Sequence, residues 1–314
     1  MVYIGIDLGG TSVKVGLVDE NGKILAKESC PTLVERGAEP VVNDMALLSL
    51  KVVEKAGYTL DDVKAIGIGL PGIQDPRTGI VPFCTNLRWH EVDVIGIMHK
   101  TIDKPIFIGN DATVAGLAES VAGVSAGVKD SVFLTLGTGV GGGVVIGGKV
   151  YSGVHGVGSE LGHMITVIDG DECTCGNKGC WERYASATAL IRMGREAATA
   201  NPESAIYKDV NGNLNDVTAK VVIDAAKAGD EVALKVFDRY VYHLCVGLVN
   251  IINFMDPEVI VLGGGVSHAG EFLLNAVRAK LPSMIFYKTM PYARIELAVL
   301  GNDAGIIGAA MLGK

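Results

Sequence analysis

Positive charge is scarce in this chain: 27 lysines and arginines stand against 35 aspartates and glutamates in 314 residues, a net charge of −8. That balance argues against nucleic acid as a general partner, because a phosphate backbone is gripped by a basic face. No run of eighteen apolar residues occurs, so no helical membrane span is expected. The first residues, MVYIGIDLGG, have neither a basic flank nor a small-residue cleavage site and do not read as a signal peptide. Low-complexity segments and linkers are missing as well. Aromatic residues make up only 6%, which points to an aliphatic interior. Cysteine is sparse too, six in all, yet three of the six crowd into CTCGNKGCWE at 173–182. Together these features predict a cytoplasmic globular protein.

What the chain does have is glycine, 42 residues of it, and 49% hydrophobic residues, a composition suited to an α/β interior with many tight turns. Residues 2–7, 13–18 and 24–28 read as short strands joined by GGTS and by the turn DENGK. A helix is expected over 41–57, then strands at 64–69 and 106–109 and a helix from Asp111 to about Val121. Residues 131–151, SVFLTLGTGVGGGVVIGGKVY, repeat the opening plan of strand, glycine turn, strand, turn, strand, which reads as a duplication. Helices dominate 185–255. A strand over 258–267 runs into a glycine turn, with a helix to about 281, a strand near 294–299 and a helical tail over 303–312. Two related α/β lobes with a cleft between them are the expectation.

DLGGTSVK (7–14) and LGTGVGGG (136–143) each set glycines between two strands. Backbone amides at Gly9, Gly10, Gly137 and Gly139 can there approach an anion, with hydroxyl donors from Thr11 and Thr138 and a charge from Lys14. Asp7, at its strand end, could hold a water on a phosphate-bound Mg²⁺. Gly137, Gly139 and Gly142 also satisfy the dinucleotide fingerprint, but that motif needs a helix next, and GVVIGGKVY reads as strand. Paired phosphate hairpins instead suggest a clamped nucleotide, with Gly264 and Gly265 of GGGVS near its ribose or adenine.

Asn110 and Asp111 fall where a strand meets a helix. One of them serves as an N-cap; two in succession leave an acid able to take a proton from a hydroxyl attacking a γ-phosphate. Residues 69–89 read as a long polar loop carrying Asn86. In GSELGHM, Glu160 and His163 lie three apart, on one face if the turn is helical. His163 precedes Cys173, Cys175 and Cys180 closely, and one imidazole with three thiols completes a tetrahedral zinc set. A Cys173–Cys175 disulfide would need a small strained ring and suits a reducing compartment badly. Such a zinc site would bring Glu160, His163 and Glu182 together, polar groups suited to a polyhydroxylated ligand.

DLGGTSVK, GNDA, LGTGVGGG, GSELGH, CTCGNKGCWE and GNDAGIIGAA (301–310) together resemble the ROK (repressor, open reading frame, kinase) family of sugar kinases in the actin-like ATPase superfamily. The resemblance implies two actin-like, ribonuclease H-like α/β domains flanking a cleft, the last helix returning to the first domain. It divides the chain into a small domain, 1–121 with 300–314, and a large one, 122–299. It implies ATP and Mg²⁺ as co-substrates, structural Zn²⁺ on His163, Cys173, Cys175 and Cys180, and a homodimer. Asp111 is cast as general base, and Asn86, Asn110, Glu160, His163 and Glu182 as sugar ligands. Glucose leads among the sugars; mannose, fructose, allose, N-acetylglucosamine and N-acetylmannosamine stay open, as does ATP against polyphosphate. A sugar-responsive repressor or a chaperone-like ATPase is the other class of reading. Two departures stand out: Thr113 where the family often has Asn, and Trp181 where Leu or Phe is usual, the latter expected to reshape the pocket wall.

Overall fold

The computed structural model describes residues 1–75 and 77–314. It is an α/β chain that divides into two compact units: Met1–Phe133 with Gly143–Ser159 and Val299–Lys314, and Leu134–Gly142 with Glu160–Ala298.

The first three strands are β1 (Val2–Leu8), β2 (Ser12–Asp19) and β3 (Ile24–Pro31), followed by helix α1 (Ala38–Lys55) and β4 (Val63–Leu70). Next come β5 (Ile73–Asp75), β6 (Ile80–Cys84), β7 (Trp89–Asp93), α2 (Val94–His99), β8 (Ile106–Asn110) and α3 (Asp111–Ala122). The second run comprises β9 (Ser131–Leu136), β10 (Val140–Ile146), β11 (Lys149–Tyr151), α4 (Glu182–Ala185), α5 (Ala187–Ala200), α6 (Ala205–Asp209), α7 (Ala219–Lys227) and α8 (Glu231–Met255). The chain closes with β12 (Val259–Gly263), α9 (Glu271–Met284), β13 (Arg294–Leu297) and α10 (Ala304–Met311).

The two large sheets have the orders β3-β2-β1-β4-β8 and β11-β10-β9-β12-β13. In each, three strands successive in sequence lie side by side and two later strands extend the sheet beyond the first of them, so the duplication read from the sequence is present in the topology. After Gly137, Gly139 and Gly142 the chain continues as strand β10, as expected against a dinucleotide fold.

In the first sheet β1 is central and almost wholly buried, which explains its unbroken apolar run. It pairs antiparallel with β2 and parallel with β4, and β4 pairs parallel with β8. The register sets Asp7 beside Gly69, and Leu70 beside Asn110. The carboxyl ends of three parallel strands therefore deliver Asp7, the turn after Leu70, and Asn110 to one edge, the position where open α/β sheets bind ligands.

Strands β5, β6 and β7 correct the expectation of an irregular loop: they form a three-stranded sheet in that order. Pro82 inside the central strand β6 argues for a loop when read as sequence. Tertiary packing wins, with Val81 and Cys84 buried and the Phe83 and His90 rings edge to face at 5.0 Å. Asn86 sits in the β6–β7 turn, closed by Arg88 N–H donating to the Thr85 carbonyl.

Helix α10 returns to the first unit. It packs on β1, β4 and α3, so closely that an added Cβ at Gly5 or Gly67 would overlap the backbone oxygens of Ile306 and Ala309. The join is fastened by Glu119, whose side chain is fully buried. Its Oε1 accepts from the Val299 and Leu300 N–H groups, both at 3.0 Å, and its Oε2 from Val124 N–H at 2.9 Å.

Candidate functional site

In the first unit the Gly9–Ser12 turn is closed by Gly9 N–H donating to Ser12 O at 2.9 Å, and Thr32 N–H donates to Thr11 O at 3.1 Å. With the Gly9 amide spent on the turn, Gly10 and Thr11 are the residues that can offer amides outward. Backbone of Gly10 lies beside Asn86, whose carbonyl oxygen would be 3.6 Å from a Cβ there. Lys14 is directly across the ladder from Asp7 and donates to its Oδ2 at 3.0 Å. The sequence suggested two separate roles for this pair, and in the structure they form one half-buried ion pair.

Asn110 is the N-cap of α3, its Oδ1 accepting from Ala112 N–H at 2.9 Å and Thr113 N–H at 3.3 Å. That leaves its Nδ2 as a donor. Asp111 is the first helical residue, and its Oδ1 accepts from Ala112 N–H at 2.7 Å, leaving the second oxygen uncommitted there. The carboxyl is open to solvent on one side and walled by protein on the others. Desolvation by those walls raises its pKa above the ordinary carboxylate value; the Ala112 N–H opposes the shift and the negative Asp7 adds to it. A raised, accessible carboxyl at a strand end is what proton abstraction near neutral pH requires. Thr113, one of the two departures, is buried behind this pair.

In the second unit the Leu136–Val140 turn has Gly137 N–H donating to Gly139 O at 3.0 Å. Thr188 Oγ1 donates to Thr138 O at 2.7 Å, and Ala187 N–H to Gly137 O at 2.8 Å, so α5 fixes the loop. Gly264 has φ +80° and lies against the backbone of Leu136, two independent reasons for glycine there. The short 3₁₀ turn Gly265–Ala269 follows it.

Glu160 and His163 share a 3₁₀ turn, with His163 N–H donating to Glu160 O at 3.1 Å. His163 and the three cysteines converge: a ring nitrogen and the Sγ atoms of Cys173, Cys175 and Cys180 all lie within 4.8 Å of one another, with Nδ1 toward Cys173. The Cys173–His163 separation is 3.7 Å and the Cys175–Cys180 separation 3.6 Å. A zinc ion with about 2.3 Å bonds to sulfur needs tetrahedral edges of about 3.8 Å, so the donor set fits. Charge argues the same way. Burial, the dominant cause, and the adjacent thiols push Cys180 up to about 12, so three ionised sulfurs here require a cation to neutralise them. Because Nδ1 faces the sulfurs, Nε2 is left for another partner. Glu182 Oε1 lies 3.1 Å from Cys173 Sγ, bringing the third acid to the same cluster as His163. The loop itself is shaped by Gly176 (φ +92°) and Gly179 (φ +79°) and by Cys173 N–H donating to Asn177 O.

Trp181 corrects the expectation of a residue on a pocket wall. It is fully buried against α8, its indole filling the space beside Gly247 and its Nε1 donating to His243 O at 2.8 Å. The sequence reading also missed Gln74 and Glu119. Each is a polar residue with few exposed atoms, and only three-dimensional contact shows what it binds.

The ROK family model matches residues 3–314. The chain belongs to the ROK family. It is 41% identical over 314 residues to a glucokinase of Thermotoga maritima, covering 99% of this chain and 96% of that one. Its fold is similar to a ROK family glucokinase from Streptomyces griseus solved in complex with glucose and AMPPNP, with TM-score 0.82, 35% identity and 99% coverage of both chains. It is also similar to a ROK hexokinase from Thermus thermophilus, with TM-score 0.85, 32% identity and 99% and 97% coverage.

Proposed function

We propose that this ROK protein is an ATP-dependent hexokinase of the glucokinase type. It transfers the γ-phosphoryl group of ATP to the C6 hydroxyl of glucose. The observation that carries the reading is Asp111: an accessible carboxyl of raised pKa at the end of parallel strands, in a chain 41% identical to a glucokinase. Asp111 takes the C6 hydroxyl proton as O6 forms its bond to the γ-phosphorus. The bond from that phosphorus to the β–γ bridging oxygen breaks, and ADP leaves with the electron pair.

Asn110 Nδ2 donates to a sugar hydroxyl, Asn86 donates to or accepts from others, and Glu160, Glu182 and His163 Nε2 supply further partners. Gly10, Thr11, Thr138 and Gly139 present donors to the phosphates, with Asp7, Gly9, Lys14 and Gly137 shaping those loops and Gly264 and Gly265 facing the adenosine. Mg²⁺ bound to the phosphates neutralises charge that develops on them; the Asp7 carboxylate, with one oxygen on Lys14, fits the role of holding its water. Zn²⁺ on His163, Cys173, Cys175 and Cys180 fastens the loop that bears Glu182. As a functional division, 1–121 with 300–314 carries the acid, and 122–299 carries the zinc loop.

We place the protein in the cytoplasm, where thiol ligands stay reduced, as a homodimer like its family. No helix among the described residues is long and apolar enough to cross a membrane.

The test is sugar phosphate formation, read with Mg-ATP as ADP release and with polyphosphate as the rival donor by the sugar phosphate itself, across glucose, mannose, fructose, allose, N-acetylglucosamine and N-acetylmannosamine. Stimulation by glucose supports the reading, stimulation by another sugar reassigns the substrate, and none with either donor overturns the kinase reading in favour of a sugar sensor or a chaperone-like ATPase.

A further inference from the structure

Gln74 lies on the short strand β5, only 5% exposed, in a stretch where an aliphatic side chain would bury more easily. Its amide has one orientation that suits both neighbours. Nε2 donates to Gly72 O at 2.8 Å, and Oε1 accepts from Asn110 N–H at 2.6 Å. The reverse orientation would set oxygen against oxygen and N–H against N–H, so the partners assign it. Asn110 N–H belongs to the residue that caps α3 and immediately precedes the acid. Gly72 belongs to the turn that leaves β4 and packs on Phe83 and Cys84 of β6, the strand leading to Asn86. Gln74 thus ties the small sheet bearing Asn86 to the strand end bearing Asn110 and Asp111. Beside it lies a cavity of about 40 Å³ lined by Gln74, Asn110, Thr113 and Ser152 among others. The β4–β8 pairing at Leu70 holds one edge of Asn110; on the side of the cavity the Gln74 bond secures its N–H.

We propose that Gln74 is a positioning residue for phosphoryl transfer, fixing the Asn110–Asp111 backbone relative to the Asn86 turn. The proposal rests on the hexokinase reading for its kinetic consequence, and on geometry alone for the contact. Gln74→Met keeps the length and removes both hydrogen-bonding groups. A displacement of the acid by about 1 Å can cost about 100-fold, so kcat should fall about 10–100-fold. KM for sugar should rise more than KM for ATP, since Gln74 binds the Asn110 backbone and reaches the Gly9–Ser12 loop only through the Asn86 turn. Gln74→Glu retains an acceptor for Asn110 N–H but sets an oxygen against the Gly72 carbonyl, so it should recover only part of the lost kcat. A purely structural role would lower thermal stability without this split or rescue.

Hydrogen exchange gives the second readout. Asn110 N–H should exchange slowly in the unaltered protein and faster in Gln74→Met. Fast exchange in the unaltered protein, or wild-type kcat and sugar KM in Gln74→Met, would overturn the proposal. If Gln74→Met does not fold, exchange in the unaltered protein and the kinetics of Gln74→Glu decide. If the unaltered protein shows no sugar-dependent ADP formation, the hexokinase reading fails, and Asn110 exchange still judges the contact.

Discussion

Replacing Glu119 with Gln should loosen the join between α3 and the returning C-terminal segment. The carboxylate accepts three backbone N–H groups, two at Oε1 and one at Oε2. Glutamine keeps one oxygen and can still serve Val299 and Leu300. Its NH₂ then meets Val124 N–H, donor against donor, in a place with no exposed surface. A hydrogen bond to a charged group contributes about 1.5–3 kcal/mol and a neutral one about 0.5–1.5 kcal/mol. Losing one bond and weakening two therefore costs about 3–5 kcal/mol. Each kcal/mol moves Tm by about 2–4 °C for a unit of this size, so the first unit should melt about 10 °C lower. Calorimetry of the two proteins at neutral pH measures this directly. Turnover below the melting range should change little, because Glu119 touches neither the acid nor the glycine turns. A Glu119→Gln protein melting within about 1 °C of wild type, against the shift expected from the lost bonds, would refute the claim that this carboxylate fastens the C-terminal segment.

Asp111→Asn should lower kcat by about 10²–10⁴-fold; a near-normal rate would remove Asp111 from the chemistry. Folding raises this carboxyl's pKa, so the folded state holds the proton more tightly, and stability declines as pH rises from the unfolded value through the folded one. The Asn variant should consequently melt higher than wild type at about pH 7, with the gain gone below the ordinary carboxylate value of about 3.9; a lower Tm near neutral pH contradicts the sign. Elemental analysis should find one zinc per chain, and Cys175→Ser should lose the metal and weaken sugar binding together; a zinc-free parent protein ends that reading. Gly247→Ala sets a Cβ inside the Trp181 indole and should destabilise the second unit by about 1–3 kcal/mol. Trp181→Phe should relieve part of that cost, and additive losses in the double variant would show that the two residues do not meet.

The strands that deliver Asp7 and Asn110 were legible because their apolar runs are uninterrupted and end on glycine or on cap residues. The cysteine cluster was legible because the four side chains that converge sit close in sequence. The small sheet of β5, β6 and β7 was not: its strands are three to five residues long, and proline interrupts the middle one. Trp181 misled because its neighbours in sequence, Cys180 and Glu182, are candidate ligands, whereas its packing partner Gly247 lies on α8 far along the chain. Gln74 and Glu119 bind backbone, and backbone partners leave no mark on the sequence.

The return of α10 to β1 and β4 has a consequence for synthesis. The first sheet leaves the ribosome before α10 and stays open along the face where Gly5 and Gly67 wait for Ile306 and Ala309. It must remain soluble while most of the chain is still being added, and Glu119 meets its last partners only once Val299 and Leu300 emerge. The second unit, contiguous from Glu160 to Ala298 apart from Leu134–Gly142, can complete most of its structure earlier, so a sheet made before it becomes native after it.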